Sequence, residues 1–280
     1  MFLHTYHPSP IFLDFGFIQI HWYGLLITLS AVIGFLIAKK LFKQYKLSES
    51  ILYDLGFYLI IFGLLGARFW HVLSRYNYYF ANPVEIFKIW NGGLAIHGAV
   101  TAGILIIWFY SRKKLNSSPL LLMDIFAPLV ILGQAIGRWG NYFNQELYGK
   151  PLDAWWAIPI DFMNRIPGYI QYEFFHPTFF YESLWCLLLF FLLVILHITR
   201  LKSSTQNKPI AALLHCYIVK YKGSIFLIYL LFYSIERFFI GFLRIDPMLS
   251  WLNLRLDQLT SLLLIILSLI GIFFMRRAKN

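Results

Sequence analysis

Long apolar segments are the sequence feature that most constrains the fold of this chain. Hydrophobic residues fill 59% of its 280 positions and charged residues 13%, and the mean hydropathy is +0.65. Several apolar segments approach the roughly 20 residues that an α-helix needs to cross a bilayer. A transmembrane β-barrel would instead show alternating segments of about ten residues, and the sequence has no such pattern. We therefore predict an all-α integral membrane protein.

Seven apolar segments predict seven transmembrane helices. Their approximate bounds are 20–38, 51–73, 94–111, 119–138, 178–198, 224–243 and 257–275. Neither an internal repeat nor a low-complexity segment divides the chain, so we predict a single polytopic membrane domain over residues 1–280. The longest inner loop, at 199–223, contains Cys216, whereas Cys186 falls within a span, so a disulfide between the two is not expected.

The placement of basic residues predicts the orientation through the positive-inside rule. With the N-terminus outside, the inner segments hold 15 of the 24 lysines and arginines and the outer loops hold six. This favours an outer N-terminus, an inner C-terminus and a small outer head region at about 140–175. The net charge of +11 is explained by the inner flanks and therefore gives no indication of nucleic-acid binding.

Polar residues from six spans are predicted to lie at one depth, near the outer surface. Two turns separate Arg237 from Arg244, which puts Arg237 about 10 Å below the outer end of its helix. Ionisable side chains inside a bilayer are costly and usually mark a function, so we expect one cavity open to the outer leaflet. Interfacial anchoring remains the alternative for Arg68 and Arg244, and a packing role for His97. The set is Tyr23, Arg68, His97, Arg138, Glu182, Arg237 and Arg244.

Several arginines in a partly dry cavity favour an anionic ligand, because a guanidinium grips phosphate or carboxylate bidentately and keeps its proton. At the outer leaflet the abundant anion is a phospholipid head group. The sequence has no HExxH, GxSxG or Walker A motif and no Cys/His cluster, so we predict no metal, no cofactor and no protein nucleophile. A transporter of an anionic substrate is the alternative from another class, although its site should lie near the bilayer midplane.

The most distinctive motif is GRWGNYFNQELYG at residues 137–149, and it resembles the bacterial phosphatidylglycerol–prolipoprotein diacylglyceryl transferases. Further motifs that resemble this family, in its order, are HWYGLL at 21–26, GGLAIHGAV at 92–100, DIFAPL at 124–129, HPTFFYE at 176–182 and ERFFIGFLR at 236–244.

The resemblance implies seven spans in the bacterial cytoplasmic membrane, with the N-terminus periplasmic, the C-terminus cytoplasmic and the active site facing the periplasm. It also implies the reaction. The diacylglyceryl group of phosphatidylglycerol moves to the lipobox cysteine thiol of a preprolipoprotein, forming a thioether and releasing glycerol phosphate. This is the first step of lipoprotein maturation. Another phospholipid head-group transferase is the nearer alternative.

Carried over residue by residue, the resemblance implies four catalytic residues, namely His97, Arg138, Arg237 and Tyr23. Arg138 would also bind phosphatidylglycerol. The remaining predicted substrate-binding residues are Asn141, Asn144, Glu146 and Gly149 from the signature, with Arg68 and Arg244. A histidine titrates near neutral pH, so His97 could take the thiol proton, with a carboxylate such as Glu146 orienting it. The spacing leaves the identity of the base open.

Two positions depart from the family pattern. A Glu usually stands four residues after the arginine of the sixth span, where this chain has Gly241. A Gly commonly precedes the Gln of the seventh span, where this chain has Asp257 before Gln258. Asp257 could therefore replace the missing carboxylate beside Arg237.

Overall fold

The computed structural model describes residues 2–115, 118–203, 220–251 and 253–277, and most of them are helical. Most of the predicted inner loop at 199–223, including Cys216, lies outside the described residues. The α-helices of the described part are α1 (Phe2–Thr5), α2 (Trp22–Gln44), α3 (Glu49–Ser74), α4 (Tyr76–Ala81), α5 (Ile96–Lys113), α6 (Pro119–Phe143), α7 (Thr178–Ser203), α8 (Ser224–Ile240) and α9 (Leu256–Arg277).

Five of the described helices are long and apolar enough to cross a membrane, namely α2, α3, α6, α7 and α9. Two shorter helices, α5 and α8, occupy the other two predicted spans and have 18 and 17 residues. The helices therefore indicate a mainly helical, multi-pass membrane protein, as predicted. The number of seven crossings, the orientation and the single domain stay predictions.

The chain divides into two compact units, one formed by residues 1–37 and 126–280 and the other by residues 38–125. In the first unit, α6, α7 and α8 share an apolar core in which Ile131, Leu193 and Ile225 are fully buried. Cys186 of α7 belongs to this core and is a buried free thiol.

The predicted head region at about 140–175 has its own core in the first unit. Strands β3 (Ile158–Pro159) and β4 (Phe174–Phe175) pair in antiparallel fashion, and a 3-10 helix spans Phe162–Asn164. The core of this region includes Tyr142, Tyr148, Ile158, Phe175 and Phe179.

Two further antiparallel pairs form hairpins in the first unit. Strands β1 (Ile11–Asp14) and β2 (Gln19–His21) precede α2, and strands β5 (Ser250–Trp251) and β6 (Leu254–Arg255) precede α9. The β5–β6 hairpin ends at Arg255, and the first turn of α9, which contains Asp257 and Gln258, follows directly.

In the second unit, helices α3 and α5 approach each other at two glycines. A Cβ atom added to Gly98 would lie 2.0 Å from the carbonyl oxygen of Gly66, so only glycine permits this approach. The amide of Ala95 donates to the carbonyl of Ala67 at 3.0 Å next to the same contact. Short 3-10 helices at Pro83–Phe87 and Ile89–Asn91 connect α4 to α5.

Candidate active site

Two arginines from different helices converge on one carboxylate oxygen. Nη2 of Arg138, near the end of α6, lies 2.6 Å from Oε2 of Glu182 in the second turn of α7. Nη1 of Arg237, in the last turn of α8, donates to the same oxygen at 2.9 Å. The Glu182 side chain is 1% exposed, and the arginine side chains are 16% and 14% exposed. Two guanidinium groups therefore share a single buried counter-charge.

The ion pairs continue from Arg237 into the loop and hairpin that follow α8. Nη2 of Arg237 lies 3.4 Å from Oδ2 of Asp257, and Oδ1 of Asp257 lies 3.2 Å from Nε of Arg255. Asp246 then joins Arg255 to Arg244 at 3.0 and 2.7 Å. We call the seven side chains the arginine–carboxylate cluster. Its members are Arg138, Glu182, Arg237, Asp257, Arg255, Asp246 and Arg244.

Asp246 is a half-buried member of the cluster and lies outside the helices. Burial by itself raises the pKa of its carboxyl group, yet the hydrogen bond and charge of Arg244, together with the charge of Arg255, outweigh burial and lower it. Asp246 is thus ionised and holds the two arginines in fixed positions.

The polar residues of the 137–149 motif form one hydrogen-bonded turn at the end of α6. The side-chain amide of Asn141 donates to Oε1 of Glu146 at 2.8 Å. The side-chain amide of Asn144 donates to the same oxygen at 3.3 Å. Nη1 of Arg138 donates to Oδ1 of Asn141 at 3.4 Å. The turn reverses the chain through positive φ angles at Gln145 and Leu147. The structure therefore links Glu146 to the cluster through Asn141.

Two glycines of this motif serve close packing. A Cβ atom at Gly140 would lie 2.4 Å from the ring of Tyr23, so this ring sits directly against the backbone of the helix that carries Arg138. A Cβ atom at Gly149 would lie 2.8 Å from Cβ of His176, and the Gly149 amide donates to the His176 carbonyl at 3.0 Å. Gly149 also forms a β-bridge with Arg244, which joins the motif to the cluster through the backbone.

Gln145 is a buried residue of the motif that the sequence did not single out. Its side-chain amide donates to the Pro8 carbonyl at 2.8 Å, and its Oε1 accepts from the Asp161 amide at 2.7 Å. The hydrogen bond from the Gln145 side chain also lowers the pKa of the Asp161 carboxyl group. Gln145 therefore anchors the turn to the head region. In the sequence, only its position between Asn144 and Glu146 indicates that Gln145 belongs to the site.

The HPTFFYE segment positions Glu182 through its first residues. The Thr178 hydroxyl donates to the Leu147 carbonyl at 2.5 Å, which ties the start of α7 to the turn after α6. Thr178 is fully buried. Glu182 follows one turn later on the same helix, so its carboxylate faces Arg138.

Comparison with known proteins assigns the chain to a family. The sequence profile of the prolipoprotein diacylglyceryl transferase family matches residues 10–274. The chain belongs to this family.

The phosphatidylglycerol–prolipoprotein diacylglyceryl transferase of Parasynechococcus marenigrum is 39% identical over 281 residues, which cover 98% of this chain and 96% of the relative. The enzyme of the same name from Nostoc sp. is 38% identical over 274 residues, covering 98% of this chain and 91% of the relative.

The structure shows little space for a side chain at Gly241, where the family pattern usually has a Glu. A Cβ atom at Gly241 would lie 2.5 Å from Cγ of Gln258, because this buried side chain fills the space beside the glycine. Gln258 donates to the Phe238 carbonyl at 3.2 Å and accepts from the Arg255 amide at 3.0 Å. Asp257 contacts Arg237 at 3.4 Å from the adjacent position. Arg237 therefore has a carboxylate from α9 in addition to Glu182 of α7.

His97 lies in the second unit, in the first turn of α5, and its side chain is exposed. Its ring centroid is 6.2 Å from that of Trp70. The catalytic role of His97 stays a prediction that rests on the family resemblance.

Arg68, also in the second unit, lies in a cradle of backbone carbonyls. Its Nε donates to Ile86 at 2.8 Å, and Nη1 donates to Gly92 and Gly93 at 2.8 and 3.0 Å. Nη2 donates to the carbonyls of Glu85 and Lys88. The guanidinium has five N–H groups, and these bonds engage all of them. The geometry favours a structural role for Arg68 over the predicted contact with substrate.

Proposed function

We propose that this protein transfers the diacylglyceryl group of phosphatidylglycerol to the lipobox cysteine thiol of preprolipoproteins. The products are a thioether and glycerol phosphate. The family profile matches residues 10–274, and phosphatidylglycerol–prolipoprotein diacylglyceryl transferases align with 98% of this chain. Both observations support this reaction. The partners are membrane phosphatidylglycerol and the signal peptide of the acceptor.

One observation carries the proposal, namely the convergence of Arg138 and Arg237 on a single oxygen of Glu182. These arginines are 99 positions apart in the sequence and come from α6 and α8. Asp257 also pairs with Arg237, but across the whole cluster four guanidiniums face three carboxylates, so one positive charge remains to attract a further anion. A phosphodiester offers oxygens that match the planar guanidinium fork.

In the proposed reaction the acceptor thiolate attacks the glyceryl carbon while the C–O bond to the phosphate breaks. Arg138 and Arg237 stabilise the negative charge that grows on the leaving phosphate. A cysteine thiol has an ordinary pKa of about 8.5, so a base raises the thiolate fraction at neutral pH. We assign that proton transfer to His97, whose residue type titrates near neutral pH.

The other signature residues hold the arginines in place. Asn141 contacts both Arg138 and Glu146, so Glu146 acts on the phosphate site through Asn141. Tyr23 packs against Gly140, two residues and just over half a helical turn beyond the Arg138 backbone position. We infer that Tyr23 borders the lipid site, and that Asn144 and Gly149 shape it. Arg244 supports it through Asp246.

We further propose seven crossings of the bacterial cytoplasmic membrane, with the N-terminus and the 140–175 head region periplasmic and the C-terminus cytoplasmic. The bias of basic residues supports this orientation. Helices α5 and α8 supply the third and sixth crossings in chain order, beside the five longer helices. The end of α6, which carries the signature, then faces the periplasm.

Incubation of the purified protein with phosphatidylglycerol and a synthetic lipobox peptide tests the function. We expect the peptide mass to increase by one diacylglyceryl group. Substituting serine for the peptide cysteine should abolish the increase, because the thiol is the nucleophile. Absence of modification with active lipid present, from protein that is folded and membrane-inserted, would refute the proposal.

A further inference from the structure

A second carboxyl group lies beside the arginine–carboxylate cluster and is not part of it. Glu236 of α8 directly precedes Arg237, and the residue is 7% exposed. Both of its carboxyl oxygens are buried, and neither has a hydrogen-bond partner within the described part of the chain. Buried polar groups are nearly always hydrogen-bonded, so this exception calls for a physical explanation.

The charged surroundings of Glu236 come from several segments of the first unit. Those that interact with it electrostatically are Arg138 of α6, Glu182 and Cys186 of α7, Arg237 of α8 and Arg244 of the following loop. Asp257 of α9 is connected to these residues through its ion pair with Arg237. Glu236 is therefore close to the cluster without making any of its ion pairs.

The two glutamates have opposite environments. Glu182 accepts hydrogen bonds from two guanidiniums, which stabilise its ionised form. Glu236 has no donor, and an ionised carboxylate buried without one is strongly disfavoured. The nearby charge of Glu182 disfavours a second negative charge further. Glu236 is therefore uncharged in this state, while Glu182 is ionised.

The combined charge of the cluster and Glu236 then depends on whether Glu236 is ionised. Within the cluster, four guanidinium groups face three paired carboxylates, which leaves one positive charge. An ionised Glu236 would reduce that charge to zero. A phosphodiester lipid with one net negative charge complements the first state, whereas a zwitterionic lipid also brings a cation that the arginines repel.

We propose that Glu236, held uncharged, is a specificity-determining residue that makes the lipid site prefer an anionic phospholipid over a zwitterionic one. This inference rests on the proposed function, because it assigns the phosphate of the lipid to Arg138 and Arg237. Glu236 acts through the net charge of the site and takes no part in bond making or breaking.

Lipid binding by the purified full-length protein in neutral detergent micelles tests the proposal. The probes are phosphatidylglycerol and phosphatidylcholine, whose quaternary ammonium keeps its charge at every pH. We expect the wild type to prefer phosphatidylglycerol by about tenfold near neutral pH. That preference should fall about fivefold or more as the pH is raised from neutral to 10, because ionisation of Glu236 would cancel the remaining positive charge.

Glu236→Gln keeps the size of the side chain but cannot ionise, so its preference for phosphatidylglycerol should be as strong near pH 10 as at neutral pH. Glu173→Gln, at an exposed carboxylate of the head region, is the matched control and should retain the wild-type loss. A wild-type preference that does not change with pH would overturn the proposal, whether or not the variants fold. So would the same alkaline loss in Glu236→Gln.

Binding and transfer are measured separately, which distinguishes the two proposals. Selective binding of phosphatidylglycerol without modification of a lipobox peptide would refute the proposed function and leave the role of Glu236 intact. If the protein is active in transfer but its lipid preference does not depend on Glu236, the proposed role of Glu236 is refuted and the proposed function is not.

Discussion

At the residue scale, Arg138 depends on the shape of its side chain as well as on its charge. One nitrogen contacts Glu182 at 2.6 Å and the other donates to Asn141 at 3.4 Å. A lysine ammonium is a single point and cannot keep both contacts while gripping a phosphate. We therefore expect Arg138→Lys to lose at least about tenfold in transfer rate, and Arg138→Ala about a hundredfold or more.

The measurement is the initial rate of lipobox peptide modification at matched amounts of membrane-inserted protein. Arg165→Lys is the control, because Arg165 belongs to the head region and donates to backbone carbonyls there. Near-normal transfer by Arg138→Lys would contradict the bidentate role.

Gly241 stands where the family pattern that the sequence resembles usually has a Glu. A Cβ atom there already meets Gln258 at 2.5 Å, and Asp257 already supplies a carboxylate to Arg237. Gly241→Glu would thus force Gln258 to move and add a third carboxylate near Arg237, beside those of Glu182 and Asp257. An unpaired buried charge costs several kcal/mol, so we expect a loss of about tenfold or more in transfer rate.

Gly241→Ala separates the two causes, because it introduces the steric contact without the charge. The double variant Gly241→Glu with Asp257→Ala should recover part of the loss if the two carboxylates compete for Arg237. Unchanged or higher turnover in Gly241→Glu, with normal thermal stability, would show that the site tolerates both carboxylates.

The sequence predicts the chemical nature of the site better than its contacts. Arg138 and Arg237 are recognisable because arginines are costly inside apolar helices. Their shared partner Glu182 belongs to the predicted set of outer polar residues, but no spacing in the sequence reveals a pairing across 44 and 55 residues. For Arg68 the sequence position suggested contact with a ligand. Its guanidinium instead donates to backbone carbonyls, which no sequence pattern indicates.

At the scale of elements, the packing of α3 against α5 depends on glycine. A Cβ atom at Gly98 would lie 2.0 Å from the Gly66 carbonyl oxygen, which is backbone and cannot turn aside. Gly98→Ala should therefore force the helices apart, and such overpacking typically costs about 1–3 kcal/mol. We expect a clearly lower thermal unfolding temperature in detergent.

Gly103 on the same helix provides the control. A Cβ atom there would lie 3.7 Å from a methyl group of Leu59, which is ordinary van der Waals contact. Gly103→Ala should leave the unfolding temperature unchanged or raise it, because alanine favours helix. Equal stability of Gly98→Ala and Gly103→Ala would contradict the close approach.

Elements differ in how well the sequence predicts them. The long helices follow from apolar runs of membrane-spanning length, and each predicted span overlaps a described helix, with ends that differ by up to six residues. The hairpins β3–β4 and β5–β6 have strands of two residues, which are too short to leave a recognisable alternation. Yet β5–β6 places Arg255 and Asp257 in the cluster.

At the scale of the whole molecule, the orientation in the membrane is the property on which the proposed reaction depends. The lipobox cysteine reaches the enzyme from the outer side only if the end of α6 faces the periplasm. Helix α3 spans Glu49–Ser74, and its 26 residues at 1.5 Å each are long enough to cross a bilayer. Residues that flank it should therefore lie on opposite sides.

Single cysteines introduced into a Cys186→Ala, Cys216→Ser background test this orientation with an impermeant thiol reagent on intact cells. Gln44 at the end of α2 and Asn77 in α4 flank α3, and Asp153 belongs to the head region; all three side chains are exposed. We expect Asn77→Cys and Asp153→Cys to react at once, because both are predicted to be periplasmic. Gln44→Cys should react only after the membrane is permeabilised. The reverse pattern would invert the orientation, and labelling of both Gln44→Cys and Asn77→Cys in intact cells would show that α3 does not cross the membrane.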